Sequence, residues 1–104
     1  MLFNLNGILY AGTLGQGIYK SIDNGASWTA ANTGLPINSK IATLLNLNGT
    51  LYAGGNQGIY KSTDQGANWT TANNGLPTNS EIATLLNLND TLYAGGAGGI
   101  WATR

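Results

Sequence analysis

The sequence repeats itself, and that periodicity constrains the fold more than any other property of the chain. Residues 17–46 (GIYKSIDNGASWTAANTGLPINSKIATLLN) align without gaps on residues 58–87 (GIYKSTDQGANWTTANNGLPTNSEIATLLN), 41 positions later, with 23 of 30 residues identical. Upstream, LNGILYAG at 5–12 matches LNGTLYAG at 47–54 and LNDTLYAG at 88–95, with one extra residue in the first repeat near Thr13 and Leu14. The 104 residues therefore hold two repeats and part of a third.

Within one repeat the pattern is of short strands. Residues 41–47 form an apolar run, Asn48-Gly49 is the dipeptide favoured in a type I′ hairpin turn, and a second run follows at 50–53. A glycine-rich connection leads to a third strand at 59–62, a tight turn at 64–67 and a fourth strand at 68–72. The next connection, NNGLPTNS, carries Gly and Pro and ends the unit. No stretch has helical periodicity of useful length. Four short antiparallel strands every 41 or 42 residues predict an all-β fold of β-propeller blades, with two full blades (residues 1–40 and 41–81) and a three-stranded partial blade (82–104).

The turn between third and fourth strands reads Ser21-Ile22-Asp23-Asn24-Gly25-Ala26-Ser27-Trp28 in the first repeat and Ser62-Thr63-Asp64-Gln65-Gly66-Ala67-Asn68-Trp69 in the second. Both resemble the Asp-box, or bacterial neuraminidase repeat, Ser-x-Asp-x-Gly-x-Thr/Ser-Trp, the second copy departing from it at Asn68. With the flanking LYAG, GIYKS and GLP segments, essentially the whole chain resembles the blades of sialidase-like, sortilin-like and photosystem II assembly factor-like propellers. The resemblance implies a fold rather than an activity, because unrelated functions share these blades. Independently of the name, an Asp at a tight turn accepts hydrogen bonds from unpaired backbone N–H groups, the following Gly takes a positive φ, and the Trp packs as an apolar anchor beneath the hairpin. Ser21, Asp23, Gly25, Trp28, Ser62, Asp64, Gly66 and Trp69 are accordingly read as structural.

Composition removes several classes of function. Four basic and four acidic residues give zero formal net charge, which offers no electrostatic footprint for nucleic acid or a membrane surface. With no Cys and no His there is no Cys/His zinc site, thiol or imidazole chemistry, or disulfide, so no metal or cofactor is expected. No apolar run approaches the roughly 18 residues of a membrane span, and no basic residue precedes the apolar positions of the first twelve, so the chain is read as soluble and unprocessed, with secretion after removal of a signal peptide left open. The glycine-rich segments at 12–17 and 95–99 lack the following helix and Lys-Ser/Thr of a phosphate loop.

Glycoside hydrolysis usually needs two facing carboxylates. Of the four in this chain, Asp23 and Asp64 belong to turns, Asp90 occupies a hairpin tip, and Glu81 has no carboxylate partner. The sialidase resemblance would also require an arginine cluster, but the one arginine is Arg104. The expectation is a non-enzyme, with a glycosidase assembled between chains as the remotest alternative. In the usual blade topology one face of the ring collects the second-to-third-strand and blade-to-blade connections. That face gathers Gln16, Asn32, Asn38, Lys40, Asn56, Gln57, Asn73, Asn79 and Glu81, whose amides donate and accept hydrogen bonds and suit sugar hydroxyls. Lys40 and Glu81 hold the same repeat position with opposite charge.

The ends of the repeat array are as apolar as its middle: Leu2, Phe3, Leu5, Ile8 and Leu9 at one end, Leu85, Leu86, Leu88, Leu92 and Ile100 at the other. Repeat arrays need caps or closure, and eleven predicted strands cannot close a ring alone. The expected partner is the chain itself, as a closed homo-oligomer with a dimer ahead of a trimer. Recent duplication of one blade, a piece of a larger propeller and a designed repeat all give such near-identity. The functional expectation is a lectin-like propeller with repeated weak glycan sites, against the alternative of a structural or protein-interaction scaffold with no small ligand.

Overall fold

A computed structural model describes residues 1–36, 39–73, 81–96 and 99–103. Among them are eleven strands and no helix. Blade 1 is the sheet β1 (Leu2–Leu5), β2 (Ile8–Gly12), β3 (Ile18–Ser21) and β4 (Thr29–Ala30). Blade 2 is β5 (Ile41–Leu47), β6 (Thr50–Gly55), β7 (Gly58–Ser62) and β8 (Thr70–Thr71). Blade 3 is β9 (Ile82–Leu88), β10 (Thr91–Gly96) and β11 (Gly99–Thr103). Every pairing is antiparallel between consecutive strands. The blades stand in chain order, blade 2 packing on blade 1 and blade 3 on blade 2, with β1, β5 and β9 along the inner side.

The hairpin tips carry the dihedrals of type I′ turns. Asn6 and Gly7 have φ of 51° and 89°, Asn48 and Gly49 52° and 90°, and Asn89 and Asp90 53° and 66°. Two left-handed residues in succession match the right-handed twist of the flanking strands, which explains Asn-Gly here. The second strands of blades 2 and 3 end at a bulge: the register of β9 against β10 shifts between Gly95 and Gly96, and that of β5 against β6 between Ile41 and Thr43. There the Lys40 carbonyl sits where a Cβ on Gly55 would be, so only glycine fits.

Alternation along the strands gives each blade two apolar faces. From blade 1, Phe3, Leu5, Ile8, Tyr10 and Ile18 point toward blade 2 and meet Leu44, Leu51, Ala53, Tyr60 and Trp69. From blade 2, Leu45, Tyr52, Ile59 and Ala72 meet Ile82, Leu85, Leu92, Ala94 and Trp101 of blade 3. Full burial of a Leu or Ile contributes about 1.5–3 kcal/mol, so the two seams hold the blades together. Two polar bonds fix the first seam. The Tyr10 phenol donates to the Gln65 carbonyl at 2.7 Å, and the Trp69 indole Nε1–H donates to the Ala31 carbonyl at 2.8 Å. Burial raises the Tyr10 pKa, which keeps the phenol protonated as a donor.

The fourth strands are shorter than the expected 68–72. Trp69 leaves its own sheet, its backbone N–H donating to the Thr33 carbonyl of blade 1 at 2.8 Å, so β8 pairs only through Thr70 and Thr71. The two tryptophans also part company. Trp69 packs beside Gly66 as expected but also reaches the neighbouring blade, whereas Trp28 lies half-exposed on the outer face of blade 1. Replacing Trp69 by Phe keeps the apolar ring and orphans the Ala31 carbonyl. Denaturant unfolding of Trp69→Phe should show a loss of about 1–3 kcal/mol; an unchanged midpoint would show that the indole bond does not hold the seam.

Candidate functional site

The two turns between third and fourth strands are built alike. In blade 1 the Asp23 carboxylate accepts from the Ser27 backbone N–H at 2.9 Å, the Ser27 hydroxyl at 2.6 Å and the Ser21 hydroxyl at 2.8 Å. The Gly25 N–H in turn donates to Ser21 Oγ at 2.9 Å. In blade 2 Asp64 accepts from the Asn68 N–H, the Asn68 side-chain amide and the Ser62 hydroxyl at 2.9, 2.9 and 2.7 Å. Asn68 thus supplies the donor that Ser27 supplies in blade 1, so the departure from the repeat pattern leaves the turn chemistry intact. Asn24 and Gln65 stand at a φ of 61° just before the glycine, and the rigid turn aims the Gln65 carbonyl at Tyr10.

These bonds stabilise the ionised carboxylates. The Ser27 side-chain bond, then its backbone bond and Ser21, bring Asp23 from 3.8 to about 2; the Asn68 side chain, then Ser62, bring Asp64 to about 2. Both carboxylates are held by donors of their own turns: backbone N–H groups and hydroxyls, and for Asp64 also the Asn68 amide.

The residues expected on the ligand-facing side fall in the β2–β3 and β6–β7 connections and in the links between blades. Gln16 and Asn32 line one cleft of about 500 Å³ on blade 1, with Tyr19, Leu35 and Pro36. Lys40, Asn56 and Glu81 line a second of about 280 Å³, together with the apolar Leu14, Ala42, Ile82 and Ala83. This second cleft draws on all three blades. Gln57 is an exposed turn residue outside both. Asn38 and Asn79 lie outside the described residues.

Several of these amides also have work within the fold. Asn32 Oδ1 accepts from the Ile18 N–H at 2.6 Å and Asn73 Oδ1 from the Ile59 N–H at 2.7 Å, each finishing a ladder beyond a two-residue fourth strand. Asn56 Oδ1 accepts from the Lys40 N–H at 3.0 Å while its own N–H donates to the Lys40 carbonyl at 3.1 Å. Their amide NH₂ groups carry the remaining donor capacity, Asn32 using its own weakly on the Gln16 carbonyl at 3.3 Å. The apolar lining of the second cleft was not singled out from the sequence. The extra residue near Leu14 was its only signal: it lets Leu14 bridge to Lys40 across the blade junction and stand exposed at the cleft edge.

With this geometry in place, the comparison with known proteins is direct. A family model described as the DUF6242 beta propeller domain matches residues 3–103. The chain belongs to the DUF6242 β-propeller family. No curated protein matches it. The DUF6242 match and the stacked antiparallel sheets agree on the propeller fold. Among the described residues of this DUF6242 chain, no three His, Cys, Asp or Glu side chains come together as a metal site would require.

The sign of the acid dependence follows from the two turn carboxylates. Their folded pKa lies below the unfolded value of 3.8, so the unfolded chain binds more protons between about pH 4 and pH 2. Stability is complete above that window and falls as pH drops through it. Urea midpoints of the double variant Asp23→Asn, Asp64→Asn should run flatter between pH 4 and pH 2 than those of the unaltered chain. Parallel curves would assign the acid sensitivity elsewhere.

Proposed function

We propose that this chain is a non-enzymatic propeller segment that works as an oligomer and presents repeated weak sites for hydroxyl-rich ligands, glycans being the class that fits best. The observation that carries the reading is the second cleft. Lys40 brings a cation, Asn56 an amide and Glu81 a carboxylate to its rim, above the apolar surface of Leu14, Ile82 and Ala83. A sugar ring has the matching division, with C–H faces that pack on apolar surface and hydroxyls that both donate and accept. Ring symmetry would repeat the cleft, and simultaneous engagement raises avidity well above single-site affinity.

The absence of catalysis rests on the carboxylates. Asp23 and Asp64 are anchored in turns, and Glu81 shares its cleft with Lys40 rather than with a second acid, so the pair required for glycoside hydrolysis is not assembled within the cleft. The turn chemistry agrees with the Asp-box reading of both repeats. A second reading, a scaffold with no small ligand, draws support from Asn32, Asn56 and Asn73, whose amide oxygens serve the backbone.

Titration calorimetry against a panel of mono- and oligosaccharides separates the two. Saturable binding at millimolar to micromolar concentration, weakened about tenfold or more by Glu81→Gln, is expected. A flat response across the panel would leave the scaffold reading. Turnover of a glycoside that disappears in Glu81→Gln would replace both readings with an enzyme.

A further inference from the structure

Residues 17–46 and 58–87 differ at seven aligned positions. Six of these exchange one uncharged residue for another, and one, Lys40 against Glu81, reverses a charge. The fold brings that one pair into a single cleft. Lys40 immediately precedes β5 and Glu81 immediately precedes β9, two inner strands that pack on each other. Their backbones are held alike: the Lys40 carbonyl takes the space of a Cβ on Gly55, and the Glu81 carbonyl that of a Cβ on Gly96. Asn56 clamps the Lys40 backbone from both sides. The two charged side chains therefore leave the fold from fixed, equivalent points and stand exposed at the cleft. Among the described residues, neither the Lys40 ammonium nor the Glu81 carboxylate has a hydrogen bond or ion pair, and the Asn56 NH₂ has no acceptor.

We propose that the second cleft selects a zwitterionic ligand, one small framework that carries both an ammonium and a carboxylate, with an amino-sugar acid as the class. Lys40 donates to the ligand carboxylate, Glu81 accepts from its ammonium, Asn56 donates to a hydroxyl, and Leu14 and Ile82 pack against its C–H surface. At about 280 Å³ the cleft has room for one such unit. This deepens the proposed function and rests on it for the sugar framework, but not for the pair of charges.

The opposite signs do the selecting. A neutral sugar covering the cleft displaces water from two charges and returns only hydroxyl bonds to them. An acidic sugar satisfies Lys40 and confronts Glu81 with a like charge; an amino sugar satisfies Glu81 and confronts Lys40. Only a ligand with both groups meets each charge with its opposite, so the cleft rejects the half-matched sugars as well as favouring the matched one. Contact between Lys40 and Glu81 in the empty cleft would compete weakly, because an exposed ion pair of two long side chains is worth little.

The test is titration calorimetry of the full chain with five probes: muramic acid, which carries both charges on one sugar ring, glucosamine, glucuronic acid, glucose, and γ-aminobutyrate as a zwitterion without a sugar. Muramic acid should bind about tenfold or more tighter than glucose, and glucosamine and glucuronic acid should gain little over glucose. Its advantage should shrink when salt is raised from about 0.02 M to about 0.5 M, which screens exposed charges. Lys40→Gln should weaken muramic acid about tenfold while tightening glucosamine, and Glu81→Gln should weaken muramic acid while tightening glucuronic acid. Circular dichroism should show both variants folded, since neither altered side chain has a partner in the fold. Sugars that bind alike whatever their charge, or variants that weaken every probe equally, would overturn the zwitterion and leave the glycan reading in place. Silence from all five probes would overturn both. Binding of γ-aminobutyrate at the strength of muramic acid, with glucose inert, would keep the paired charges and remove the sugar.

Discussion

A blade of this chain is apolar on both faces, and everything else in the structure is a way of living with that. A single four-stranded sheet cannot bury two faces by itself. Its stability has to come from neighbours, and the neighbours here are copies of the same unit. Tyr10, Ile18 and Phe3 point one way and Leu9 and Ala11 the other because successive residues of a strand alternate. Repeating that alternation three times yields two internal seams with the same chemistry.

The seams are apolar, and the register of the first is set by polar groups. The braced turn around Asp64 is distant in sequence from the hydrophobic runs of blade 1, yet it decides where the Gln65 carbonyl points and hence where Tyr10 may sit. The Trp69 indole performs the same task at the outer edge through Ala31. Hydrophobic contact alone tolerates sliding; two directional bonds at 2.7 and 2.8 Å do not. The Asp64 carboxylate is thus indirectly part of the blade-to-blade packing.

Much of this was legible in the sequence. The strands followed from the 41-residue repeat, and the hairpins from Asn6-Gly7 and Asn48-Gly49, because local turn chemistry and alternation are both written along the chain. The end of each blade was less legible. The fourth strand was expected over 68–72 and spans two residues, since Trp69 bonds across to Thr33 of another blade. Asn32 and Asn73 read as surface amides, and only the fold shows their oxygens closing the ladders at Ile18 and Ile59. The cleft under Lys40, Asn56 and Glu81 was half visible: its polar rim follows from turn positions, while its apolar lining of Leu14, Ile82 and Ala83 comes from two blades that no local pattern connects.

Near-identity of the repeats carries a cost during folding. Leu85, Leu92 and Ala94 of blade 3 offer blade 1 almost the same surface as Leu44, Leu51 and Ala53 of blade 2, so apolar contact hardly discriminates between the correct neighbour and the next one along. What marks the first seam, among the described residues, is a set of polar contacts: the Leu14–Lys40 bridge, the bond to the Gln65 carbonyl and the bond from the Trp69 indole. They serve as an address, distinguishing one seam from its look-alike, and a chain stripped of them would be prone to mispair its own blades.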